Sequence, residues 1–459
     1  MNELAYRVTE TAWAAVSGAT VETDNVVFTG SGSLPSTFPV TDLASASIAA
    51  AGLGVAELVY QAHGQRPLVS VDRRLSSLWF QTSLRPVGWT LPSPWDPIAG
   101  DYRTRDGWIR LHTNAPHHRA AAEQVLGTSG DRAAVATAVA QWDKTELETA
   151  VVQEGGCAAE MRSLAEWQEH PQGRAIAKEP LAHLSSTGRG APPNWRVPIE
   201  RPLEGVRVLD LTRVLAGPVA TRFLAGYGAT VLRIDPPDWD EPGVVPEVTL
   251  GKRCARLNLR EAGDRARFEA LLSQADVLLH GYRSDALEGL GLGLNLRRRL
   301  APGLVDVCLD AYGWSGPWIT RRGFDSLVQM SAGIADAGMR WRGADKPVPL
   351  PVQALDHATG YLMAAAAICG LARRLTDGIG IAARFSLART AKLLVDQKRN
   401  GESHELAPES ASDRSPVVEV TQWGDARRIA APLQIAGAPM RWDIPARGLG
   451  SALPDWSDR

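Results

Sequence analysis

Strand-length apolar runs alternate with helix patterns through the second half of the chain. VRVLDL (206–211) and TVLRID (230–235) have the apolar character of buried strands, and VLAGPVATRFLAGYG between them has the pattern of a turn that leads into a helix. A helix pattern in RARFEALLSQA and a strand pattern in LVDVCLDAYG (304–313) continue the series. Because strands and helices that alternate in this way build parallel sheets, the sequence predicts an α/β fold with a Rossmann-like, doubly wound sheet.

Two Ala-rich stretches share one design. Residues 354–375 and 41–61 both have the length and apolar content of a buried helix, and each is followed by a glycine and a strand-like run. The two stretches align without a gap, and the alignment places Asp42 on Asp356. Matching starts and ends are typical of duplication, so we expect an internal repeat of one helix and one strand.

Changes in composition and in hydrophobic periodicity divide the chain into further predicted parts. Residues 185–202 (SSTGRGAPPNWRVPIERP) break all periodicity, and residues 94–184 carry a hairpin signal at 105–107 followed by short helix patterns. The predicted parts are a helical N-terminal part of the large domain (1–93), a small α+β domain (94–184), a linker (185–202), the Rossmann-like part with the Asp356 helix (203–398), a polar linker (399–415) and a closing segment (416–459).

The amino-acid composition limits the kinds of molecule that the protein is expected to bind. The 49 basic and 51 acidic residues give a formal charge of −2, without the positive field that binding to nucleic acid or an anionic membrane needs. The N-terminus has no basic-then-apolar run, and no stretch reaches about 18 uninterrupted apolar residues, so we expect neither a signal peptide nor a membrane span. The expected class is a cytoplasmic protein that acts on small molecules.

The four cysteines are scattered along the chain. Cys157, Cys254, Cys308 and Cys369 form no CxxC pair and have no spacing typical of metal ligands. We therefore expect reduced thiols, with neither a disulfide framework nor a metal site.

The loop at 213–218 (RVLAGP) connects a predicted strand to a predicted helix. Free N–H groups at a helix N-terminus bind anions, so the loop suits a nucleotide phosphate; the alternative is a tight turn that needs Gly217 for its backbone alone. Asp235, at the end of the next strand, resembles a ribose-binding acid. The GxGxxG spacing is missing, however, because Pro218 and Val219 stand in place of glycines, and a nicotinamide enzyme remains only an alternative.

Asp356 stands at the head of the second Ala-rich helix. A carboxylate in that position can serve as an N-cap and is favoured by the helix dipole. A carboxylate can also act as a nucleophile toward an activated acyl group. The residue alone does not decide between these roles.

The ordered motifs resemble one family. VLDLTRVLAGPVATRFLAGYGATVLRIDPP (208–237) resembles the opening of the family III CoA-transferases, the CaiB/BaiF group that includes formyl-CoA transferase. GKRCARLNLRE, ADVLLHGYRSDALEGLGLG, AYGWSGPWITRRGFDSLVQMSAG and LDHATGYLMAAAAICGLARRLTDGIG follow in the family's order. The resemblance implies that residues 203–398 form a Rossmann-like part that binds CoA.

The resemblance also implies a reaction. In this family the acid of the D-x-x-x-G helix start is the catalytic nucleophile, which matches Asp356 followed by Gly360. The implied enzyme is a CoA-transferase that moves coenzyme A from an acyl-CoA donor to a carboxylic acid acceptor through a covalent aspartyl anhydride and thioester. CoA and acyl-CoA are then substrates, and neither a permanently bound cofactor nor a metal is implied.

Further positions match the family's contacts to CoA. These positions are Arg213, Val214, Leu215, Ala216, Leu257, Arg260, Tyr282, Arg283, Tyr312 and Gly313. The last two match an aromatic-Gly pair beside the thioester. His280 and Gly281 depart from the family's usual Glu-Asn, so we expect contacts from that turn to differ.

Two alternatives remain on the same fold. Racemisation of 2-methylacyl-CoA depends on a His just before the Asp of the motif that reads GFD here, and Phe324 occupies that position. His357 directly follows Asp356 and is expected to be an exposed residue of the first helical turn. A racemase-like isomerase therefore lacks its proton-transfer pair, and the second alternative is a catalytically inactive CoA-binding or scaffold homologue.

The N-terminal region resembles the second half of the same family. Members are described as interlocked dimers, whereas this chain holds one Rossmann-like part, one small domain and both Asp helices. The resemblance implies a rearranged or fused tandem, which would be a homodimer or a pseudo-dimer within one chain. Asp42 is then expected to be a relic, because Ala46 replaces the motif glycine.

Overall fold

The N-terminal part is mainly helical. The computed structural model describes residues 2–20, 25–282, 286–397 and 404–457. The first elements are α1 (Glu3–Ser17), β1 (Val26–Thr29), α2 (Val40–His63), β2 (Val69–Asp72), α3 (Arg73–Gln81) and β3 (Leu84–Pro86).

A small α+β domain follows, with its own apolar core. Its elements are β4 (Gly100–Arg103), β5 (Trp108–Leu111), α4 (Pro116–Leu126), α5 (Arg132–Val139), α6 (Lys144–Gln153), β6 (Ala158–Glu160), α7 (Leu164–Glu169) and α8 (Pro171–Lys178). Strands β4 and β5 pair antiparallel across the predicted turn, with Tyr102 opposite Ile109. Both side chains are buried with Leu111 and Val135 in one cluster, so the predicted hairpin is confirmed.

The central part of the chain alternates strands and helices. Its elements are β7 (His183–Arg189), β8 (Arg207–Leu211), α9 (Ala216–Gly226), β9 (Thr230–Asp235), α10 (Val245–Val248), β10 (Lys252–Arg256), α11 (Ala262–Leu272), β11 (Val277–His280), α12 (Ala286–Gly289), α13 (Leu294–Leu300), β12 (Val305–Asp310), α14 (Asp325–Ser331), α15 (Ile334–Arg342), α16 (Ala354–Asp377), β13 (Ile379–Ser386) and α17 (Leu387–Val395).

Seven of these strands form one sheet in the order β10-β9-β8-β11-β12-β13-β7. All neighbours are parallel except β13 and β7. The chain order reverses between β8 and β11, where Val208 pairs with Val277. Open α/β sheets bind ligands at the carboxyl ends of the strands beside such a reversal. The predicted Rossmann-like sheet is confirmed.

The predicted linker at 185–202 begins inside a strand. Residues 183–189 form β7, which pairs antiparallel with β13 at the sheet edge. Most of its side chains are exposed, so the strand shows no apolar run and its Ser- and Gly-rich sequence looks like a loop. The boundary drawn at 184/185 is therefore wrong, because an edge strand with a solvated face needs no apolar pattern.

Helices α2 and α16 form the centre of the molecule. Each has 24 residues, and one offset of 314 residues separates both Val40 from Ala354 and His63 from Asp377. A Cβ on Gly54 would lie 3.4 Å from the Ala365 carbonyl oxygen, so the two helices pass close to each other here. Both helices are long and apolar enough to cross a membrane by composition, yet 89% and 94% of their most apolar windows are buried inside the protein. They are built as core helices.

The end of the chain pairs with its beginning. The last strands are β14 (Glu419–Thr421), β15 (Gly424–Arg428) and β16 (Leu433–Ile435). Strand β16 pairs with β2, and β15 pairs with β3. Within the predicted polar linker, Glu409 and Asp413 form ion pairs with Arg85 and Arg74, so residues 404–415 are fastened to the N-terminal part.

Candidate active site

A buried charge network supports the loop between β8 and α9. The Asp210 carboxylate accepts hydrogen bonds from the Thr212 backbone N–H at 2.9 Å and from the Lys252 ammonium at 3.0 Å. Burial opposes ionisation, but the positive charges of Lys252 and Arg233 outweigh it and lower the pKa of Asp210. A Cβ on Gly217 would lie 2.3 Å from the Thr212 side chain, so only glycine fits where the helix begins.

Val214 holds a strained conformation within this loop. Its φ of 63° lies in the left-handed region, which β-branched residues avoid at a cost on the order of 1–3 kcal/mol. Its N–H donates to the Glu241 carboxylate at 2.8 Å, and Glu241 forms an ion pair with buried Arg233. This backbone donor, which the sequence assigned to a phosphate, is therefore engaged by an acid of the chain.

Arg213 lies between two aromatic rings at the carboxyl ends of the strands. Its guanidinium carbon is 4.6 Å from the centre of the Trp239 ring and 5.1 Å from that of Tyr282, and it donates to the Tyr282 hydroxyl at 2.9 Å. Stacking of a cation on both rings fixes the side chain. Trp239 was not among the predicted site residues, although it stands four residues after Asp235 in the loop that follows β9.

The other predicted contacts to the nucleotide are spread out. Leu257 is buried in an apolar cluster behind the sheet, and Arg260 is exposed before α11. Arg283 lies outside the described residues. His280 is buried with its Nε2 atom 3.4 Å from Asp306, so this departure from the family pattern faces the protein interior.

Tyr312 and Gly313 follow β12 at the same edge of the sheet. Tyr312 is buried, and its hydroxyl lies 3.1 Å from the Ser331 hydroxyl. The Gly313 N–H donates to Asp310 at 2.8 Å, and its φ of 106° excludes most side chains. Burial raises the pKa of Asp310 to about 8.

Asp356 lies in the first turn of α16 but does not cap it. The helix begins at Ala354, and the Asp325 carboxylate accepts the N–H groups of Leu355 at 2.8 Å and of Asp356 at 2.9 Å. Of the two roles that the sequence left open for this residue, the N-cap role does not apply, because an acid from α14 already satisfies these donors. Within the described part of the chain, no group donates a hydrogen bond to the Asp356 carboxylate.

The two acids differ in charge. Burial raises the pKa of Asp325 to about 6, although the two backbone donors and the Gln329 side chain favour its ionised form. Burial and the neighbouring Asp325 carboxylate together raise the pKa of Asp356 well above its ordinary value. Asp325 therefore ionises first and disfavours a second negative charge on Asp356.

Gly360 brings the Asp356 helix against the loop. A Cβ at this position would lie 2.3 Å from the Ala216 carbonyl oxygen and 2.9 Å from Val219. The glycine one turn after Asp356 therefore allows α16 to approach the start of α9. The structure in this way places the first turns of α16, which carry Asp356, against Ala216 at the end of the loop that carries Arg213, Val214 and Leu215.

Two buried histidines stack on aromatic rings, and one of them, His357, lies elsewhere than the sequence indicated. His357 is buried and stacks on Phe80 with ring centres 4.8 Å apart, so its expected exposure is wrong. Burial lowers its pKa to about 3. His112 from the small domain stacks on Phe324 with ring centres 3.7 Å apart, and burial likewise lowers its pKa to about 3. Both rings are neutral near pH 7.

Asp42 has the opposite surroundings. It occupies the third position of α2, as Asp356 does in α16, and the guanidinium of buried Arg73 donates to it at 2.7 Å. Asp42 therefore has a cationic hydrogen-bond partner, which Asp356 lacks among the described residues. The two matched aspartates therefore differ in chemistry.

Comparison with known proteins gives the family of this fold and site. The CoA-transferase family III profile matches residues 203–419. The probable fatty acyl-CoA transferase Rv3272 of Mycobacterium tuberculosis is 30% identical over 266 residues, which are 53% of this chain and 67% of that protein. The chain belongs to CoA-transferase family III.

Other relatives are matched over a smaller part of their length. The acetyl-coenzyme A transferase nodX of Hypoxylon pulicicidum is 30% identical over 305 residues, 61% of this chain and 51% of that protein. The chain thus spans about half the length of the first curated relatives, at 51% and 53%. A crystal structure of Rv3272 from M. tuberculosis has 28% identity and a TM-score of 0.37, covering 42% of this chain and 57% of that one.

Proposed function

We propose that this chain transfers coenzyme A from an acyl-CoA donor to a carboxylic acid acceptor, with Asp356 as the nucleophile. The observation that carries this proposal is the buried Asp356 carboxylate, free of donors among the described residues and held beside the loop at 213–216. Its helix N-terminus is already capped by Asp325, so a purely structural role for Asp356 is unsupported.

The proposed reaction has four steps. An Asp356 carboxylate oxygen attacks the thioester carbonyl carbon and the C–S bond breaks. The CoA thiolate is released, and a mixed anhydride between Asp356 and the acyl group is formed. The thiolate attacks the aspartyl carbonyl, which forms an aspartyl-CoA thioester and releases the donor acid. The acceptor carboxylate attacks this thioester, the C–S bond breaks with release of the CoA thiolate, and a second anhydride forms. The thiolate then attacks the acceptor carbonyl, so the new thioester leaves and the Asp356 carboxylate is restored.

We assign the nucleotide of CoA to the carboxyl ends of β8, β9 and β11. Arg213 supplies a positive charge there, and the Trp239 and Tyr282 rings that hold it have apolar faces suited to a base. The thioester end of CoA then extends past Ala216 toward Asp356. In this arrangement Tyr312 and Gly313 remain proposed contacts of the acyl end.

We also propose that one chain builds one complete site. The small domain contacts the segment of Asp325 within the same chain: His112 stacks on Phe324, and the Arg162 N–H donates to the Met330 carbonyl at 3.1 Å. Gln172 of α8 donates to the Tyr312 carbonyl at 2.7 Å. These contacts support a pseudo-dimer in which the N-terminal region replaces a partner subunit. Four free cysteines are consistent with the proposed cytoplasmic compartment.

Chemical trapping tests whether Asp356 forms a covalent bond with the acyl group or with CoA. The protein is incubated with acyl-CoA thioesters, treated with hydroxylamine or borohydride, digested and analysed by mass spectrometry. We expect a modified peptide containing Asp356, none in Asp356→Asn, and an unchanged yield in the matched Asp42→Asn variant.

Turnover is then measured with a panel of acyl-CoA donors and carboxylic acids. Transfer by Asp356→Asn at the parent rate would overturn the mechanism. Tight acyl-CoA binding with no adduct at any aspartate and no transfer would instead support the inactive CoA-binding or scaffold homologue.

A further inference from the structure

A cavity of about 500 Å³ lies between the small domain and the segment that leads to α14. One face of α6 forms a wall, with Thr145 one turn before Glu148 and Thr149. Arg321 and Arg322 form the opposite wall. The cavity is therefore built from two parts of the fold and contains none of the residues assigned to CoA.

The charges deep in the cavity wall cancel. The Glu148 carboxylate, with 5% of its side chain exposed, accepts from Arg162 at 2.8 Å and pairs with Arg321 at 2.9 Å. Arg162 also pairs with Glu160 at 2.8 Å. Two guanidinium groups thus face two carboxylates. His170 adds no charge near neutral pH, because burial lowers its pKa to about 4.

Two cationic groups keep unused donors. The Arg321 side chain is only 8% exposed, and its Nε atom is buried with no hydrogen-bond partner. Arg322 donates to the Gly155 carbonyl at 3.2 Å and forms no ion pair with an acid among the described residues. Arg322 therefore lines the cavity with a charge that no described acid neutralises, and an acceptor oxygen beside it would be favoured.

We propose that this cavity binds a small carboxylate anion at a site separate from Asp356. The net positive charge of Arg322 matches one carboxylate, and planar guanidinium groups bind carboxylates well. The hydroxyls of Thr145 and Thr149 on the α6 wall already donate to the Glu160 carboxylate and to the Thr145 carbonyl, so the donors for the anion come from the arginines. An occupant would join α6 to the segment that begins with Tyr312 and Gly313, since Trp318 beside the cavity packs on Tyr312 with ring centres 4.9 Å apart.

Calorimetric titration tests this site independently of catalysis. Full-length protein carrying Asp356→Asn is saturated with CoA and titrated with acetate, succinate, phosphate or chloride. We expect a carboxylate to bind under these conditions. Arg322→Gln should raise its Kd roughly tenfold or more, the order expected when a charged hydrogen bond is lost.

Two variants separate local from general effects. Thr149→Phe places a ring at the exposed mouth of the cavity and should abolish binding without changing the core. Arg342→Gln removes an exposed arginine outside the cavity and should leave the Kd unchanged. Thermal melts monitored by circular dichroism check that each variant is folded.

Several results would overturn the proposal. One is a carboxylate titration that shows no more binding than chloride does, and another is tighter binding of phosphate than of any carboxylate. Loss of carboxylate binding when CoA is added, or an unchanged Kd in Arg322→Gln, would also overturn it. Because Asp356 is already replaced, failure of the proposed transferase reaction would leave this outcome unaffected.

Discussion

Two aspartates at equivalent helix positions show how surroundings decide the chemistry of one residue type. Asp42 is paired with the Arg73 guanidinium, whereas Asp356 lies next to a second carboxylate, that of Asp325. The Arg73 guanidinium occupies an oxygen of the Asp42 carboxylate, whereas burial and a neighbouring like charge raise the pKa of Asp356. The environment therefore favours Asp356 over Asp42 as a nucleophile.

Asp325→Asn tests this electrostatic coupling. The charge of Asp325 contributes to the raised pKa of Asp356, so its removal lowers that pKa, while the Asn oxygen can still accept the helix N–H groups. The reactive carboxylate exists only above its pKa. We therefore expect the acidic limb of adduct formation, measured over a pH series, to move to lower pH.

The matched control for this experiment is Asp336→Asn, which removes a buried acid paired with Arg340 on α15. This control should leave the acidic limb of adduct formation at the same pH as in the parent protein. If the acidic limb of Asp325→Asn lies at the same pH as that of the parent, the two carboxylates are not coupled.

Gly360→Ala tests the close approach of α16 to the loop. The added methyl would lie 2.3 Å from the Ala216 carbonyl oxygen, so the helices must separate. Overpacking of this kind costs about 1–3 kcal/mol, and we expect a lower unfolding midpoint in urea and weaker CoA binding. Gly263→Ala, where the Cβ meets nothing within 4 Å, should leave both unchanged or slightly improved. Equal effects of both substitutions would contradict the steric argument.

At the scale of elements, Glu247 of α10 joins three parts of the chain. Its carboxylate accepts the Leu84 N–H at 2.9 Å and pairs with Arg222 of α9 and with Arg428 of β15. Burial alone would raise its pKa, but the two guanidinium groups and the Ser83 donor lower it to about 2. One buried acid thus connects the N-terminal part, the Rossmann-like part and the closing segment.

The low pKa of Glu247 predicts a dependence of stability on pH. A depressed folded-state pKa stabilises the protein above the ordinary value of 4.5, and this contribution is lost as the pH falls toward about 2. Glu247→Gln leaves buried Arg222 without a charge partner and Arg428 with Glu419 alone, and should cost about 3–5 kcal/mol at pH 7. Urea unfolding should show the gap between parent and variant closing between pH 4.5 and 2. Exposed Glu154→Gln is the control, and a gap independent of pH would refute the assignment.

Elements with regular apolar patterns were predictable from the sequence. β9 has the predicted bounds of 230–235, and the repeat offset gave both long helices. β7 was missed because its side chains are mainly polar and exposed. The cap on α16 was missed for another reason: Asp325 acts from 31 residues away, and no local pattern encodes which acid reaches a helix end.

At the scale of the whole molecule, the two ends of the chain are parts of one unit. β16 and β15 pair with β2 and β3, and the α2 and α16 helices pack in the centre. The small domain meets the Asp325 segment of its own chain. This connectivity supports one complete site per chain, with Asp42 outside it.

Counting sites tests this connectivity. Mass spectrometry of the trapped protein should give one adduct per chain, at Asp356, and activity per chain should be constant as the protein is diluted. Gln172→Leu removes the bonds from the small domain to the Tyr312 carbonyl and the Trp318 N–H, and should impair transfer. If each site lies within one chain, mixing this variant with Asp356→Asn restores nothing, because neither chain holds an intact site. Recovery of activity in the mixture, or its loss on dilution, would instead show that two chains share each site.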